Sequence, residues 1–294
     1  MSTEAKVSES TSTGGSYLFK ARTKEAFVIK VLSELLSNSA IQYAPIRIDH
    51  EGIHLNAPDR YSYQLINFTL YRENFFNWKM AKPFLCFQVN SSHLHKMLKS
   101  IKKKDQITIS IRDNDECKLC FSVETPDEND RTDTNIRITY IPFNAVKMPD
   151  GYPNPTLCSS KEFQKMKNLH NISPEMKVNC PYPGYIKFYC DGGEIYDREV
   201  ILGTEADEED KRDIVFEEFS ETFKTSYITQ LTKCANQSGN VQIFVKNNLP
   251  LKIKMQLSKL GELIVLIKSN ERIKLEQKLA AEKKKELETQ EETD

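Results

Sequence analysis

The side chains whose types and spacing point to chemistry in this sequence are lysines, and the chemistry is electrostatic. Ser91 to Ile101 reads SSHLHKMLKSI. Leu94, Met97, Leu98 and Ile101 have the i, i+3, i+4, i+7 spacing of one helix face, while Lys96, Lys99 and Lys103 follow the same spacing on another. A helix apolar on one side and basic on the other packs on a sheet while showing positive charge to something long and negative. The formal net charge of the 294-residue chain is −1, so affinity for a polyanion has to come from local clustering rather than bulk charge.

Other groupings are weaker. Cys117-Lys-Leu-Cys120 has the spacing of half a zinc site, but it falls in a predicted strand and no second close Cys or His pair follows. Asp207-Glu-Glu-Asp210 offers carboxylates for a divalent cation, as in a metal-dependent DNA enzyme. It sits in a predicted loop among further charges, with no carboxylate partner on a neighbouring strand. His93 and His95 flank the basic helix without a nearby nucleophile. Gly14-Gly15 and Gly192-Gly193 do not form a phosphate-binding loop. The expectation is a binding protein with no catalytic residues, no metal and no cofactor.

Composition places these residues in a globular frame. Hydrophobic residues at 39% and charged residues at 28% allow a real core, and the length suits two domains. The longest aliphatic run, Leu263 to Ile267, is far short of the roughly 20 residues of a membrane helix, so a soluble protein is expected. Met1 to Ser16 is rich in Ser, Thr and Gly and reads as a disordered arm, neither signal peptide nor anchor. Seven cysteines without paired spacing point to a reducing intracellular compartment.

The elements that must position the lysines read as the same statement made twice. Tyr17 to Arg22 is predicted as a strand and Lys24 to Leu36 as a helix. Two short strands follow within Ile46 to Leu55 around Glu51-Gly52, then a strand over Tyr63 to Tyr71, the basic helix, and strands over 106–112, 118–124 and 135–141. The second half repeats this order with helices over Ser159 to Leu169 and Phe223 to Ala235, a hairpin around Pro183-Gly184, and strands over 199–204, 241–246, 251–256 and 263–268. Pro142, Pro149, Pro153 and Pro155 make residues 142–156 an extended connector. The organisation is an arm (1–16), a first domain (17–141), the connector (142–156), a second domain (157–270) and a charged tail (271–294) too polar for the core.

This order of elements resembles the PCNA family of DNA sliding clamps. The residues that carry the resemblance are Tyr17-Leu-Phe-Lys-Ala-Arg22 leading into a helix, Glu51-Gly52-Ile53-His-Leu55 followed by Asp59, Val178-Asn-Cys180 followed by Gly184, Leu249-Pro250-Leu251, and Leu260-Gly261-Glu262-Leu263. It spans about Leu18 to Ile273. The resemblance implies an α+β fold of two tandem βαβββαβββ domains, with helices lining the interior of a three-subunit ring and antiparallel sheets outside. Duplex DNA threads such a ring, which tethers a DNA polymerase and other replication and repair proteins, and performs no chemistry. It implies a clamp loader and a nuclear location, or a viral replication compartment for a member from a large DNA virus.

Carried over by position, the resemblance implies that Lys30, Lys96, Lys99, Lys165, Lys167 and Lys233 face DNA, with Lys102, Lys103 and Lys104 enlarging the patch. Client proteins would meet Val146, Met148 and Pro149 on the connector and Pro250 and Leu266 opposite. Subunits would join through Asn135, Ile136, Arg137 and Ile138 on one edge and Glu199, Val200, Ile201 and Leu202 on the other. Two open edges on one chain are a hazard unless they meet across a heterologous contact that closes. Pro58, Leu266 and Tyr182 stand where the family usually has methionine, tyrosine and a modified lysine, so client preference and that modification do not carry over. A clamp-like factor that does not form a homotrimer, or a subunit of a checkpoint clamp, is the alternative.

Overall fold

Alternation of buried and exposed residues produces most of the chain's seventeen described strands, and the helices sit between them. The computed structural model describes residues 16–126, 130–204 and 217–291, with side chains to 284. The predicted arm and the Asp207–Asp210 acidic run lie outside the described residues, apart from Ser16.

The first domain contains β1 (Tyr17–Thr23), α1 (Ala26–Asn38), β2 (Tyr43–Asp49), β3 (Gly52–Pro58), β4 (Gln64–Tyr71), β5 (Phe76–Met80), β6 (Phe84–Asn90), α2 (Ser91–Leu98), β7 (Gln106–Arg112), β8 (Asp115–Thr125) and β9 (Asp130–Tyr140). The second contains β10 (Thr156–Ser159), α3 (Ser160–Phe163), β11 (Glu175–Tyr182), β12 (Tyr185–Asp191), β13 (Asp197–Gly203) and β14 (Phe219–Lys224). Helical segments Thr225–Thr229 and Thr232–Ala235 follow, then β15 (Asn240–Phe244), β16 (Leu251–Leu257) and β17 (Gly261–Ile267).

The repeat is finer than the sequence reading. With β5 set aside, a βαβββ unit occurs four times, beginning at β1, β6, β10 and β14. The predicted order omitted the opening strands of the second, third and fourth units. Each opening strand also leaves its own unit. Thus β1 pairs with β7, β6 with β2, β10 with β15, and β14 with β11, all antiparallel. Each domain is therefore two exchanged units, and the helices stay on one side of the sheets with a continuous apolar core between.

A backbone ladder fuses the domains. β17 pairs with β4 over seven residues, from Gly261↔Leu70 to Ile267↔Gln64. Gly261 is required at that seam because a Cβ there would stand 1.9 Å from the Thr69 carbonyl oxygen. Buried Asp59 locks the same seam. One carboxylate oxygen accepts the Tyr63 and Gln64 N–H groups at 2.7 and 3.1 Å, and the other accepts the Tyr227 hydroxyl of the second domain at 3.0 Å. Leaving any of these groups unpaired would cost about 1–3 kcal/mol.

The helices differ between the domains. α1 is continuous because apolar residues fall at helical spacing, burying Val28, Ile29, Val31, Leu32, Leu35 and Leu36. The predicted single helix over 159–169 is instead α3 followed by 3₁₀ turns at Gln164–Met166 and Leu169–Asn171. Phe163, Met166 and Leu169, all fully buried, recur every third residue, which is the period of a 3₁₀ helix. The predicted helix over 223–235 begins two residues later than expected, since Phe223 lies in β14, and it breaks after Thr229. There the Thr232 hydroxyl donates to the Thr229 carbonyl at 2.7 Å, competing with the helix's own ladder.

Candidate nucleic-acid interface

The helical segments form one row, with α2 against α1, α1 against Thr232–Ala235, and that segment against α3. The lysines expected on helices are carried by this row. α2 begins with the Asn90 side chain accepting the His93 N–H at 2.9 Å, an N-cap that fixes where its faces point. Buried Leu94 and Leu98 leave Lys96 and Lys99 exposed.

The helix stops at Leu98, shorter than expected, because the next segment folds into a turn. Asp105, 3% exposed, accepts the Lys102 N–H at 2.8 Å and the Thr125 hydroxyl at 3.1 Å. Lys102, Lys103 and Lys104 are therefore exposed on a loop beside the helix end, not on the helix.

Two lysines do structural work as well. Lys30 is half-buried; its Nζ donates to the Ile101 carbonyl at 2.9 Å, tying α1 to the turn after α2. The Phe27 ring is approached by both Lys30 and Lys103, with ammonium-to-centroid distances of 5.3 and 6.0 Å. Lys233 is exposed but ion-paired to Glu34 of α1, across the domain junction. Lys165 and Lys167 are exposed on the 3₁₀ stretch of the second domain. Sequence reasoning missed Phe27 and Glu34 as partners, since neither contact is local.

The connector crosses the domain seam. At one end the Asn56 amide of β3 accepts the Val146 N–H at 2.8 Å and donates to the Val146 carbonyl at 3.2 Å, as a neighbouring strand would. At the other end Tyr152 donates its hydroxyl to the Pro250 carbonyl at 2.7 Å, and Lys246 donates to the Gly151 carbonyl at 2.7 Å. Burial pushes the Tyr152 hydroxyl pKa well above its ordinary value. Between these anchors in the sheet lie β4 and β17.

Val146 is 45% exposed, Met148 and Pro149 are half-buried, and Pro250 and Leu266 are buried. Leu266 pairs with Leu65, and strand alternation puts both on the face opposite the core residues Ile66, Val265 and Ile267. Leu65 and Leu266 are thus an apolar pair on the outer face beside a pinned loop, chemistry that a short apolar helix can meet.

Among the described residues, β9 and β13 each present an unpaired edge. β9 pairs with β8 along Asp130–Thr125 to Arg137–Lys118, and only Ile138, Thr139 and Tyr140 pair with β6. This leaves the second edge of Asp130–Arg137 unpaired, with Asn135 and Arg137 exposed and Ile136 turned into the core. Ile138 does not belong to the open edge, because its backbone is opposite Val89 of β6. β13 is the outer strand of its four-stranded sheet, with Glu199 and Ile201 exposed and Val200 and Leu202 buried. The opposite edge of that sheet, β14, is guarded. Glu271 opens the helix Asn270–Glu291, and its carboxylate accepts the Thr222 N–H of β14 at 3.0 and 3.2 Å. Further along the helix Glu276 accepts from Lys268 at 2.6 Å and Gln277 donates to the Tyr63 hydroxyl at 2.7 Å, so the tail is docked through its first turns, whereas Leu275 and Leu279 are exposed.

Other reactive groups are accounted for locally. Cys117 and Cys120 lie three apart on β8, so they project from opposite faces. Burial pushes the thiols of Cys158 and Cys234 up to about 12 and Cys180 up to about 11, which makes them packing residues. Asp49, Glu51 and His54 lie close enough together to suggest a cation site. However, one Asp49 oxygen already bonds the Glu51 N–H at 2.9 Å and His54 at 3.0 Å, and the other pairs with Arg47 at 2.9 Å. Burial raises the Asp49 pKa, but these partners outweigh it and hold the carboxyl below its ordinary value. The cluster braces the β2–β3 turn.

Comparison with known families gives two matches in tandem. Residues 18–145 match the family described as proliferating cell nuclear antigen, N-terminal domain. Residues 151–270 match proliferating cell nuclear antigen, C-terminal domain. With the two-domain antiparallel architecture above, these matches establish that the chain belongs to the proliferating cell nuclear antigen family and has the α+β sliding-clamp fold.

Proposed function

We propose that three copies of this chain close into a ring around duplex DNA and raise the processivity of a DNA polymerase by topological tethering. The observation that carries this reading is the single row of helices bearing exposed Lys96, Lys99, Lys165, Lys167 and Lys233, on a chain whose described strands β9 and β13 each present an unpaired edge. Lys30 and the Lys102–Lys104 loop extend the same positive face. Lysine suits sliding, because a flexible point charge holds phosphate without the fixed geometry of arginine, and phosphate contacts do not read sequence. The protein performs no chemistry of its own in this reading.

The outer face beside the connector receives client proteins for replication and repair, through Val146, Met148 and Pro149 with Pro250 and Leu266. A clamp loader opens the ring, and the site of action is the nucleus or a viral replication compartment. Among the described residues no helix is long and apolar enough to cross a membrane, and no membrane partner is proposed.

The test is retention on nicked circular DNA before and after linearisation, measured alongside polymerase product length. A closed ring stays on the circle, is lost from the free ends, and lengthens products. Equal retention on both forms sinks encirclement and leaves a side-binding factor.

A further inference from the structure

The internal repeat shows, inside one chain, how two of its units join. β4 and β17 close the first and fourth units, and they pair antiparallel at the domain seam. The turn before β4 then rests on the helix after β14. Tyr227, third residue of that helix, donates to Asp59 at 3.0 Å, and Gln230, three residues on, donates to Gln64 at 3.1 Å. The strands closing the second and third units are β9 and β13, and among the described residues each leaves an edge unpaired. The same junction repeated between them requires a second copy. It brings the turn before β13, Gly192–Tyr196, onto α2 of that copy.

Both surfaces have the required chemistry. The turn carries Ile195, 86% exposed, and Tyr196, 52% exposed, flanked by the exposed carboxylates Asp191, Glu194 and Asp197. On the other side a groove of about 550 Å³ runs between α2 and the open edge of β9. Tyr43, Met97 and Ile136 give it apolar walls, and His93, Lys96 and Arg137 give it basic ones. His93 and Lys96 are the third and sixth residues counted from the start of α2, as Tyr227 and the C-cap residue Gln230 are counted from Thr225. An isolated apolar tip beside an open edge, and a matching hole beside the other, fit a heterologous contact.

We infer that the Gly192–Tyr196 turn is the anchor of the subunit interface, seating Ile195 and Tyr196 in the α2–β9 groove of the neighbouring copy with Glu194 facing Lys96. This rests on the ring reading above and refines it. Lys96 then stands where the interface meets the DNA-facing row, which Lys30, Lys99 and the loop after α2 continue in the first domain.

The test is sedimentation equilibrium of the full chain and three variants: Ile195→Asp, Lys96→Glu, and Lys96→Glu combined with Glu194→Lys. Because Ile195 is exposed in the single chain, Ile195→Asp leaves its thermal unfolding unchanged. It is expected to weaken association about tenfold to a hundredfold, the effect of losing one buried aliphatic anchor. Lys96→Glu weakens association, and the added Glu194→Lys restores it. Association of Ile195→Asp equal to wild type, or failure of the charge swap to restore binding, overturns the inference while the ring stands. A wild-type chain that stays monomeric at tens of micromolar overturns both.

Discussion

The helices of the first domain and those of the second occupy equivalent places in the same repeat, yet they are held by different means. α1 is a 13-residue helix whose apolar residues follow the 3.6 period, so its stability comes from one broad face packed on the sheets. Its counterpart in the second domain is a single α turn continued as 3₁₀, with Phe163, Met166 and Leu169 in line at every third residue. A 3₁₀ stretch has poorer hydrogen-bond geometry, so more of its stability rests on individual buried side chains and on its cap. The cap is a reciprocal one. The Ser159 N–H bonds Glu162 at 2.7 Å, and the Glu162 N–H bonds the Ser159 hydroxyl at 3.3 Å. One fold can therefore tolerate a weak helix where the flanking side chains are fully buried.

The same contrast governs charge. Lys99 stands exposed at the end of α2, while Lys233 of the second domain is ion-paired to Glu34 of α1. The positive face is uneven, and the second domain's share of it is partly neutralised by the first.

The sharpest way to break the comparison is Phe163→Ala. The ring is fully buried, and its loss should cost about 3–5 kcal/mol, read as a lower urea midpoint. If the second domain leans on single side chains as argued, the midpoint falls further than for Leu32→Ala in α1, for which about 2–5 kcal/mol is the ordinary range. An equal or larger loss for Leu32→Ala would remove the distinction.

A smaller effect is expected from Glu162→Ala, about 0.5–1 kcal/mol, because the carboxylate is near solvent. The Ser159 backbone N–H, and then its hydroxyl, hold the Glu162 carboxyl below its ordinary value of 4.5. A lowered folded pKa means the contribution is complete above the ordinary value and is lost as pH falls through the folded one. Wild type and variant should therefore differ at pH 7 and converge in acid, when unfolding is followed across a pH series. A gap that stays constant would show that the cap does not depend on the charge.

The smallest expected effect is that of Glu34→Gln, which releases Lys233. Affinity for duplex DNA should rise slightly, and the slope of log affinity against log salt should steepen by less than about one unit. An unchanged slope would mean that Lys233 does not face DNA.

Much of this was legible along the chain. The strand pairs around Gly52 and Gly184, the α1 face and the α2 lysines all follow from local alternation and spacing. β6 could have been found as well, since Leu85, Phe87 and Val89 alternate as buried residues, but it abuts α2 without a break. β5 had no such signal. It is a short strand beside β1 with no residue fully buried, and Asn77 adopts a positive φ of 59°. The period of three in Phe163, Met166 and Leu169 was also readable, and distinguishing it from a helical stripe required noticing that no i+4 partner shares the face.

Residue types and their periods were enough to decide the class of fold, the tandem domains and the presence of a basic helix, because each depends on neighbours within a few positions. Tertiary structure alone decided which strands exchange between units and which edges stay open. It also showed that Lys30 braces a turn, that Lys233 is paired, and that Asn56 pins the connector 90 residues away. These outcomes depend on contacts between residues tens to hundreds of positions apart. No local pattern encodes such contacts, so a lysine that reads as free on its own helix can already be held by the next domain.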